Sequence, residues 1–216
     1  MTEKYVVKEK QVGNYVVQVV LDNEPFNPRQ EYGNDQLFQM VCFHSQYNLG
    51  DKHNFSIEEM REIAKGRNSN YLYLNLFLYD HSGITMSTTP FNCKWDSGQV
   101  GIICIEKTKI RKEYGVKRIS PKLKAKILDM MKSDVKIYDQ YLTGEVYGFE
   151  VFHKDDMEYS INSCWGFYDE DHCLSEGVDS AKWEIKNEIK KHINHVKTWI
   201  KNNVSVIHRY PCPVKS

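Results

Sequence analysis

The chain has 216 residues and carries 29 Lys or Arg against 29 Asp or Glu, so its formal net charge is zero. This balance excludes two classes of protein, those that bind polyanions through overall charge and DNA mimics that act through overall acidity. Hydrophobic residues make up 41% of the chain, which is enough for a core, and no run of about 18 apolar residues could span a membrane.

The cysteines indicate the compartment. None forms a C-x-x-C pair, and Cys42, Cys104 and Cys164 lie in apolar, strand-like runs where a free thiol packs as a small hydrophobic group. This pattern is typical of a reducing environment. The N-terminus has no apolar signal-peptide core. We therefore expect a soluble intracellular protein without membrane association.

In chain order, the first elements are short strands separated by polar loops. A Gly13-Asn14 turn between apolar runs predicts a hairpin. The predicted strands cover residues 5–7, 15–21 and 37–43. Ser56 and Glu59 form a capping box that begins a helix, and Gly66 ends it.

The middle of the chain begins with YLYLNLFLY, residues 71–79. This nearly continuous apolar run predicts a strand that is covered on both faces. Further strands are predicted at 84–88 and 100–105, with a loop at 91–99 between them. Ser120-Pro121 begins a helix whose apolar residues recur at helical spacing until Gly144.

The last third predicts a hairpin, formed by EVYGFEVFH and MEYSINSCWGFY, and then a helix over residues 180–203. Strands and helices do not alternate regularly, and several neighbouring strands have hairpin connections. The pattern favours an α+β fold with a mainly antiparallel sheet, helices on one side and a long C-terminal helix. We expect a core domain at 1–179, with the helix and a mobile tail at 180–216 packed on it.

Asp80, His81 and Ser82 are the residue types of a hydrolase triad, but they are consecutive. Neighbouring residues of a strand point to opposite faces, so these three cannot hydrogen-bond in series. With Gly83 they favour a type I turn. The alternative is that Asp80 or His81 acts singly with a partner from elsewhere.

A second Asp-Ser-Gly begins at Asp96. If both loops lie at one end of the sheet, Asp80, His81, Asp96 and Gln99 would form the polar rim of a pocket. Otherwise both stretches are turns, and Trp95 covers an edge of the core. The candidate catalytic residues of such a pocket are Asp80, His81, Asp96 and His44.

Two other pairs have the spacing of catalytic or metal-binding residues. Cys42 and His44 share a strand face and would suit a nucleophile and base, or two metal ligands. His192 and His195 share a helix face. Each pair lacks further ligands, so structural or solvated roles are favoured. The chain has no Walker loop, G-x-G-x-x-G or G-x-S-x-G, and we expect no metal and no cofactor.

The charges are strongly segregated along the chain. Between residues 107 and 126 there are nine basic residues and one acid, Glu113, a net charge of about +8. Residues 145–179 hold ten acids and one base, about −9. Such a basic cluster is typical of phosphate-backbone contact, although pairing with the acidic segment or simple solvation would also explain it. The basic residues are Lys107, Lys109, Arg111, Lys112, Lys117, Arg118, Lys122, Lys124 and Lys126.

Five motifs stand out together: MVCFHSQYNLGD (40–51), LYDHSGITMST (78–88), WDSGQVG (95–101), YDQYLTGEVYGF (138–149) and SCWGFY (163–168). The set resembles a family of uncharacterised proteins from phages and mobile elements of bacteria, and the resemblance spans residues 14–168. It implies the cytoplasm of a bacterial host but no activity and no catalytic residue. Small phage accessory proteins often inhibit host defence, as anti-CRISPR and anti-restriction factors do.

Two functions follow as hypotheses. The first is a phage-type accessory protein that binds and inhibits a host nucleic-acid-processing complex. Its basic segment would contact RNA or DNA, and its acidic segment a host protein or ribonucleoprotein. The second is a small, cofactor-independent hydrolytic enzyme that uses the Asp/His pocket. A virion or regulatory binding module is a third alternative.

Overall fold

A computed structural model describes residues 5–31, 36–93 and 95–205. The chain divides into two units, which we call the terminal unit (residues 1–21 and 147–216) and the middle unit (residues 22–146). The predicted boundary between residues 179 and 180 falls inside a helix and does not coincide with this division. Cys212 and the tail predicted to be mobile lie outside the described residues.

The elements are numbered in chain order. The strands are β1 (Val6–Val12), β2 (Tyr15–Leu21), β3 (Gln39–Cys42), β4 (Tyr71–Asp80), β5 (Ile84–Ser87), β6 (Ser97–Glu106), β7 (Tyr147–His153) and β8 (Asn162–Phe167). The helices are α1 (Pro28–Glu31), α2 (Ile57–Ala64), α3 (Lys107–Glu113), α4 (Pro121–Thr143) and α5 (Glu170–Asn203).

The α+β class and the antiparallel pairing are confirmed, but the strands form two sheets rather than one. The middle unit contains the order β3-β6-β4-β5, and the terminal unit β1-β2-β7-β8. In the middle unit α4 packs on one face of the sheet through residues such as Ile127 and Met131. On the other face α2 packs through Met60 and Ile63. Helices therefore cover both faces, as the apolar run in β4 requires.

A buried ion-pair network fixes one end of the middle unit. Arg29 is buried and donates two hydrogen bonds to Asp51, at 2.8 and 2.6 Å, and one to Asp134 at 3.1 Å. Asp51 also accepts from the backbone N–H of Met40 at 2.7 Å. Gly50 has φ 69°, and a Cβ there would lie 2.7 Å from the Met40 carbonyl oxygen, so this turn requires glycine.

The same region joins residues from three of the five motifs. The Tyr138 hydroxyl accepts from the Gly50 backbone N–H at 2.9 Å. Asp139 accepts from the backbone N–H of Met86, the residue on β5 opposite Leu78, at 2.6 Å. These motif residues therefore hold the α4 helix against the sheet.

The terminal unit packs α5 against one face of its sheet. The core contains Val17, Val19, Phe149 and Val151 from the strands and Cys173, Val178 and Ala181 from the helix. The helix begins ten residues before the predicted start, because Asp169 caps it by accepting from the His172 N–H at 2.6 Å. Cys164 is exposed on β8, contrary to its expected burial, while Cys173 is buried.

Candidate functional site

The basic segment occupies α3, the loop after it and the first turns of α4. Five of its nine basic residues line one groove of about 930 Å³, together with residues of β4 and the chain after β5. We call this cavity the basic groove. Its full lining is Tyr71, Leu72, Tyr73, Leu74, Asn75, Phe77, Thr88, Pro90, Lys107, Arg111, Lys117, Arg118, Ile119, Lys124 and Leu128.

The lining of the basic groove has one sign of charge. It includes five cationic side chains and no carboxylate. None of the nine basic side chains of the segment forms an ion pair with any residue in the described parts of the chain. Internal pairing, one of the alternatives left open by the sequence, therefore does not neutralise the groove within those parts.

One wall of the groove is a free strand edge. Strand β5 pairs only with residues 77–80 of β4, and β6 lies on the opposite side of β4. Between residues 71 and 76 this edge has no strand partner among the described residues. In an antiparallel strand, alternate residues direct their N–H and C=O groups to such an edge, where a ligand can bond to them.

The other basic residues lie outside the groove. Lys109 donates to the Gln36 carbonyl oxygen at 2.8 Å, and the Lys126 ammonium lies 5.5 Å from the centre of the Tyr114 ring. Lys112 and Lys122 are exposed away from the groove lining. The predicted nine-residue site therefore resolves into five groove residues and four that point elsewhere. Within the groove, Lys107 also donates to the Ser69 carbonyl oxygen at 2.5 Å.

A second, smaller pocket of about 320 Å³ brings together Asp80, Asp96, His44 and Gln99. The backbone N–H of Asp80 donates to the Asp96 carbonyl oxygen at 2.8 Å, so the two loops lie at the same end of the sheet. Residues 81–83 form a three-residue hairpin loop with Ser82 at φ 59°, which replaces the predicted type I turn. Trp95 does not cover the core edge, because it is 95% exposed at the pocket mouth.

His44 lines this pocket, whereas His81 lies beside it and is outside its lining. His44 Nδ1 accepts the backbone N–H groups of Gln46 and Tyr47, each at 3.2 Å, so its neutral ring carries hydrogen on Nε2. In that state Nε2 can donate a hydrogen bond but cannot accept a proton, so the ring is not arranged as a base. His81 Nδ1 lies 3.4 Å from Asp96 Oδ2, which leaves its Nε2 free to accept a proton.

The other paired candidates do not form reactive sites. Burial raises the pKa of the Cys42 thiol to about 12, which disfavours the thiolate that a nucleophile paired with His44 would need. His192 and His195 are exposed on α5. In the part of the chain that the structure describes, no group of three or more His, Cys, Asp or Glu side chains is placed to hold a metal ion.

Comparisons with family models, with curated protein sequences and with solved structures find no match to this chain. Over the described ranges, no helix is long and apolar enough to cross a membrane.

Two features of the sites had no clear sequence signal. Helix α3 was not predicted, because Glu106 at its N-cap is not one of the residue types that usually begin a helix. Its side chain makes no capping hydrogen bond. The free edge of β4 depends on the short length of β5, which ends before Pro90, and only that proline hints at the end of strand pairing.

Proposed function

We propose that this protein binds nucleic acid in the basic groove and thereby inhibits a host nucleic-acid-processing complex. The observation that carries the proposal is the lining of the groove, which has five cationic side chains and no acidic one. A cavity of about 930 Å³ is at the upper end of the range for small-molecule sites, about 300–1,000 Å³. A segment of a polymer therefore suits it.

The charge distribution favours an anionic occupant on physical grounds. Five like charges around one cavity repel each other, and each phosphate that enters relieves that repulsion. Apolar residues of the lining, such as Leu72, Leu74 and Leu128, strengthen these interactions because they displace water. Backbone groups at the β4 edge can bond to bases or sugars, so phosphates would lie on the α3 and α4 side.

The inhibitory role rests on the five motifs that resemble phage and mobile-element proteins. A small protein can block a defence complex by binding the nucleic acid of that complex, or by filling the channel that holds it. Neither mode of inhibition requires catalysis. The groove supports the nucleic-acid contact, and the partner would be a host ribonucleoprotein or a DNA-bound complex.

The test is binding of a fluorescent 20-nucleotide single strand, RNA and DNA in turn, measured by anisotropy. The groove variant changes Lys117, Arg118 and Lys124 to Glu. We expect its affinity to fall at least ~100-fold, since three lost phosphate contacts of ~1 kcal/mol each amount to that factor.

The matched control changes Lys112, Lys122 and Lys136 to Glu. These residues are exposed, lie outside the groove lining and give the same change of net charge. We expect the control to bind within a few-fold of the natural protein. An equal loss in both variants would show that overall charge, and not the groove, drives binding.

A second candidate function is hydrolysis in the small pocket, which the His81–Asp96 contact specifically favours. Asp96 would orient the His81 ring, and His81 would activate a water molecule beside Asp80. His81→Ala and Asp80→Asn at unchanged stability should then remove the biological activity. Full inhibitory activity in both variants would exclude this function.

A further inference from the structure

Helix α5 extends far beyond the sheet that its first half covers. Its apolar stripe packs on the sheet as far as Ile185. The hydroxyl of Tyr15 on β2 faces Glu188, and burial together with this carboxylate raises the pKa of Tyr15 to about 12. Every residue from Glu188 to Asn203 is exposed.

The apolar stripe continues along this exposed half. Ile189, Ile193, Val196 and Ile200 follow the i, i+4, i+7, i+11 spacing of a helix-pairing seam, and Ile189 is 54% exposed. Trp199 borders the same stripe and is 56% exposed. No residue of the described chain covers these side chains. A contiguous apolar stripe of this kind marks an interaction surface.

The charges beside the stripe define its occupant. At 100° per residue, Lys186, Lys190, Lys197 and Lys201 fall on one edge of the helix, immediately beside the stripe. We call this row the lysine edge. In a paired helix, the residues beside the seam face the flank of the partner, so they select a partner of opposite charge.

A second copy of the chain does not satisfy this edge. In a parallel pair, Lys190 and Lys197 would face the flank that carries His192 and Trp199. In an antiparallel pair, Lys190 of one copy would face Lys197 of the other, and like charges there are destabilising. Neither arrangement places a carboxylate opposite the lysine edge.

We propose that the exposed half of α5 binds an amphipathic helix of a partner protein, one with acidic residues along the flank that faces the lysine edge. Apolar side chains of the partner interleave with the stripe, and its carboxylates pair with Lys190 and Lys197. This surface shares no residue with the basic groove, and its occupant does not depend on nucleic acid.

The test uses two synthetic 28-residue peptides with Ile at a and Leu at d. One carries Glu at e and g, the other Lys, and each is labelled and titrated with the full-length protein. We expect the acidic peptide to bind at least 10-fold more tightly than the basic one. Lys190→Glu with Lys197→Glu should reverse that preference, because the edge then attracts Lys.

The matched control compares two single charge reversals, one on the lysine edge and one on the opposite face of the helix. Lys197→Glu should weaken binding of the acidic peptide several-fold, whereas Lys191→Glu on the opposite face should leave it unchanged. Ile193→Asp should abolish binding of both peptides while the circular dichroism spectrum is retained, because Ile193 is exposed and outside the core.

Three results would overturn the proposal. Equal binding of both peptides, or binding of neither, would contradict a preference for an acidic partner. Sedimentation that shows a dimer of the protein through Ile193 would assign the stripe to a second copy. Binding to phosphatidylglycerol vesicles, without binding to the acidic peptide, would assign it to a membrane surface.

Discussion

Asp51 stabilises the middle unit through buried contacts that its sequence motif does not predict. It pairs with buried Arg29 through two hydrogen bonds and accepts the Met40 N–H. Among the described residues, Asp51→Asn leaves the guanidinium of Arg29 with only Asp134, at 3.1 Å, as a charged partner. Since breaking a buried pair costs about 3–5 kcal/mol, we expect a loss of that order in the free energy of unfolding.

Urea unfolding at pH 7 measures this loss. The control is Asp129→Asn, which removes an exposed pair with Lys132 and should change stability by less than about 0.5 kcal/mol. A similar small effect of Asp51→Asn would mean that the network is solvated and does not fix the unit.

Asp139 makes the free energy of unfolding depend on pH with a sign opposite to that of a carboxylate in an ion pair. Burial raises the pKa of Asp139 above its ordinary value near 3.8, the charge of Glu145 also raises it, and the bond from the Met86 N–H only partly opposes this. The folded protein therefore keeps this proton at pH values where the unfolded chain has lost it. Its contribution to stability falls as pH rises from 3.8 through the raised pKa.

Asp139→Asn removes that dependence while its side-chain oxygen still accepts from Met86. Unfolding curves between pH 3.5 and 7 should show the variant gaining stability relative to the natural protein as pH rises through this window. Asp134, whose pKa burial also raises, is present in both proteins and cancels. Parallel curves at all pH values would contradict the assignment.

Among single residues, sequence patterns predicted some contacts and missed others for clear physical reasons. The rim of Asp80, His81, Asp96 and Gln99 was predicted from two similar turns, and these residues do lie at one end of the sheet. The role of His44 could not be predicted, since it depends on the N–H groups of Gln46 and Tyr47 in a tight loop. Exposure of Trp95 runs against its hydrophobicity, and no local pattern signals it.

At the scale of elements, the packing of α5 on its sheet depends on Gly177. A Cβ at this position would lie 2.5 Å from Cγ1 of Val17 and 3.0 Å from Phe149. Gly177→Ala should therefore lower the free energy of unfolding by about 1–3 kcal/mol, despite the better helix propensity of Ala. Ser175→Ala, at an exposed position two residues earlier, should have little effect.

Val17→Ala provides the complementary test. By itself it removes buried methyl groups and destabilises, but it also vacates the space that the new Cβ of Gly177→Ala requires. The double variant should be more stable than the sum of the two single losses predicts, by about 1 kcal/mol or more. Strict additivity of the measured free energies would show that the helix simply shifts away.

The sequence patterns predicted the type of most long elements and erred at their ends. The apolar run at 71–79, the capping box at Ser56 and the Ser120-Pro121 start all correspond to observed elements. The start of α5 was predicted at 180 rather than 170, and Gly177 lies in the part of the helix that was missed. Its packing against Val17 compensates for its poor propensity, and such a tertiary contact has no local sequence signal.

For the whole molecule, the terminal unit combines distant parts of the chain, whereas the middle unit is one continuous segment. Residues 6–21 share a sheet with residues 147–167, and pairing between Val17 and Val151 joins them. The connection after residue 21 is polar and contains Pro25 and Pro28, whereas the connection before residue 147 is short and contains only Gly144 as a turn residue. A polar loop of this kind also connects elements within one domain, so composition did not identify the division, which depends on the pairing of β2 with β7.

The zero net charge conceals a division between the units. The basic segment belongs to the middle unit, and nearly all of the acidic segment belongs to the terminal unit. In the terminal unit some of these acids are paired, since Lys8 contacts Glu170 at 2.8 Å and Asp171 at 2.6 Å. The basic groove has no such pairing among the described residues, so its charges are more available to a ligand of opposite charge.

The salt dependence of single-strand binding tests the central claim most directly. Each phosphate contact contributes about 0.7 to the slope of log affinity against log salt, so five groove cations predict a slope near −3.5. The variant with Glu at 117, 118 and 124 should lower the magnitude of that slope by about 2 or abolish binding, and the control at 112, 122 and 136 should retain it. A slope near zero, or one that the groove variant leaves unchanged, would contradict nucleic-acid binding in this groove.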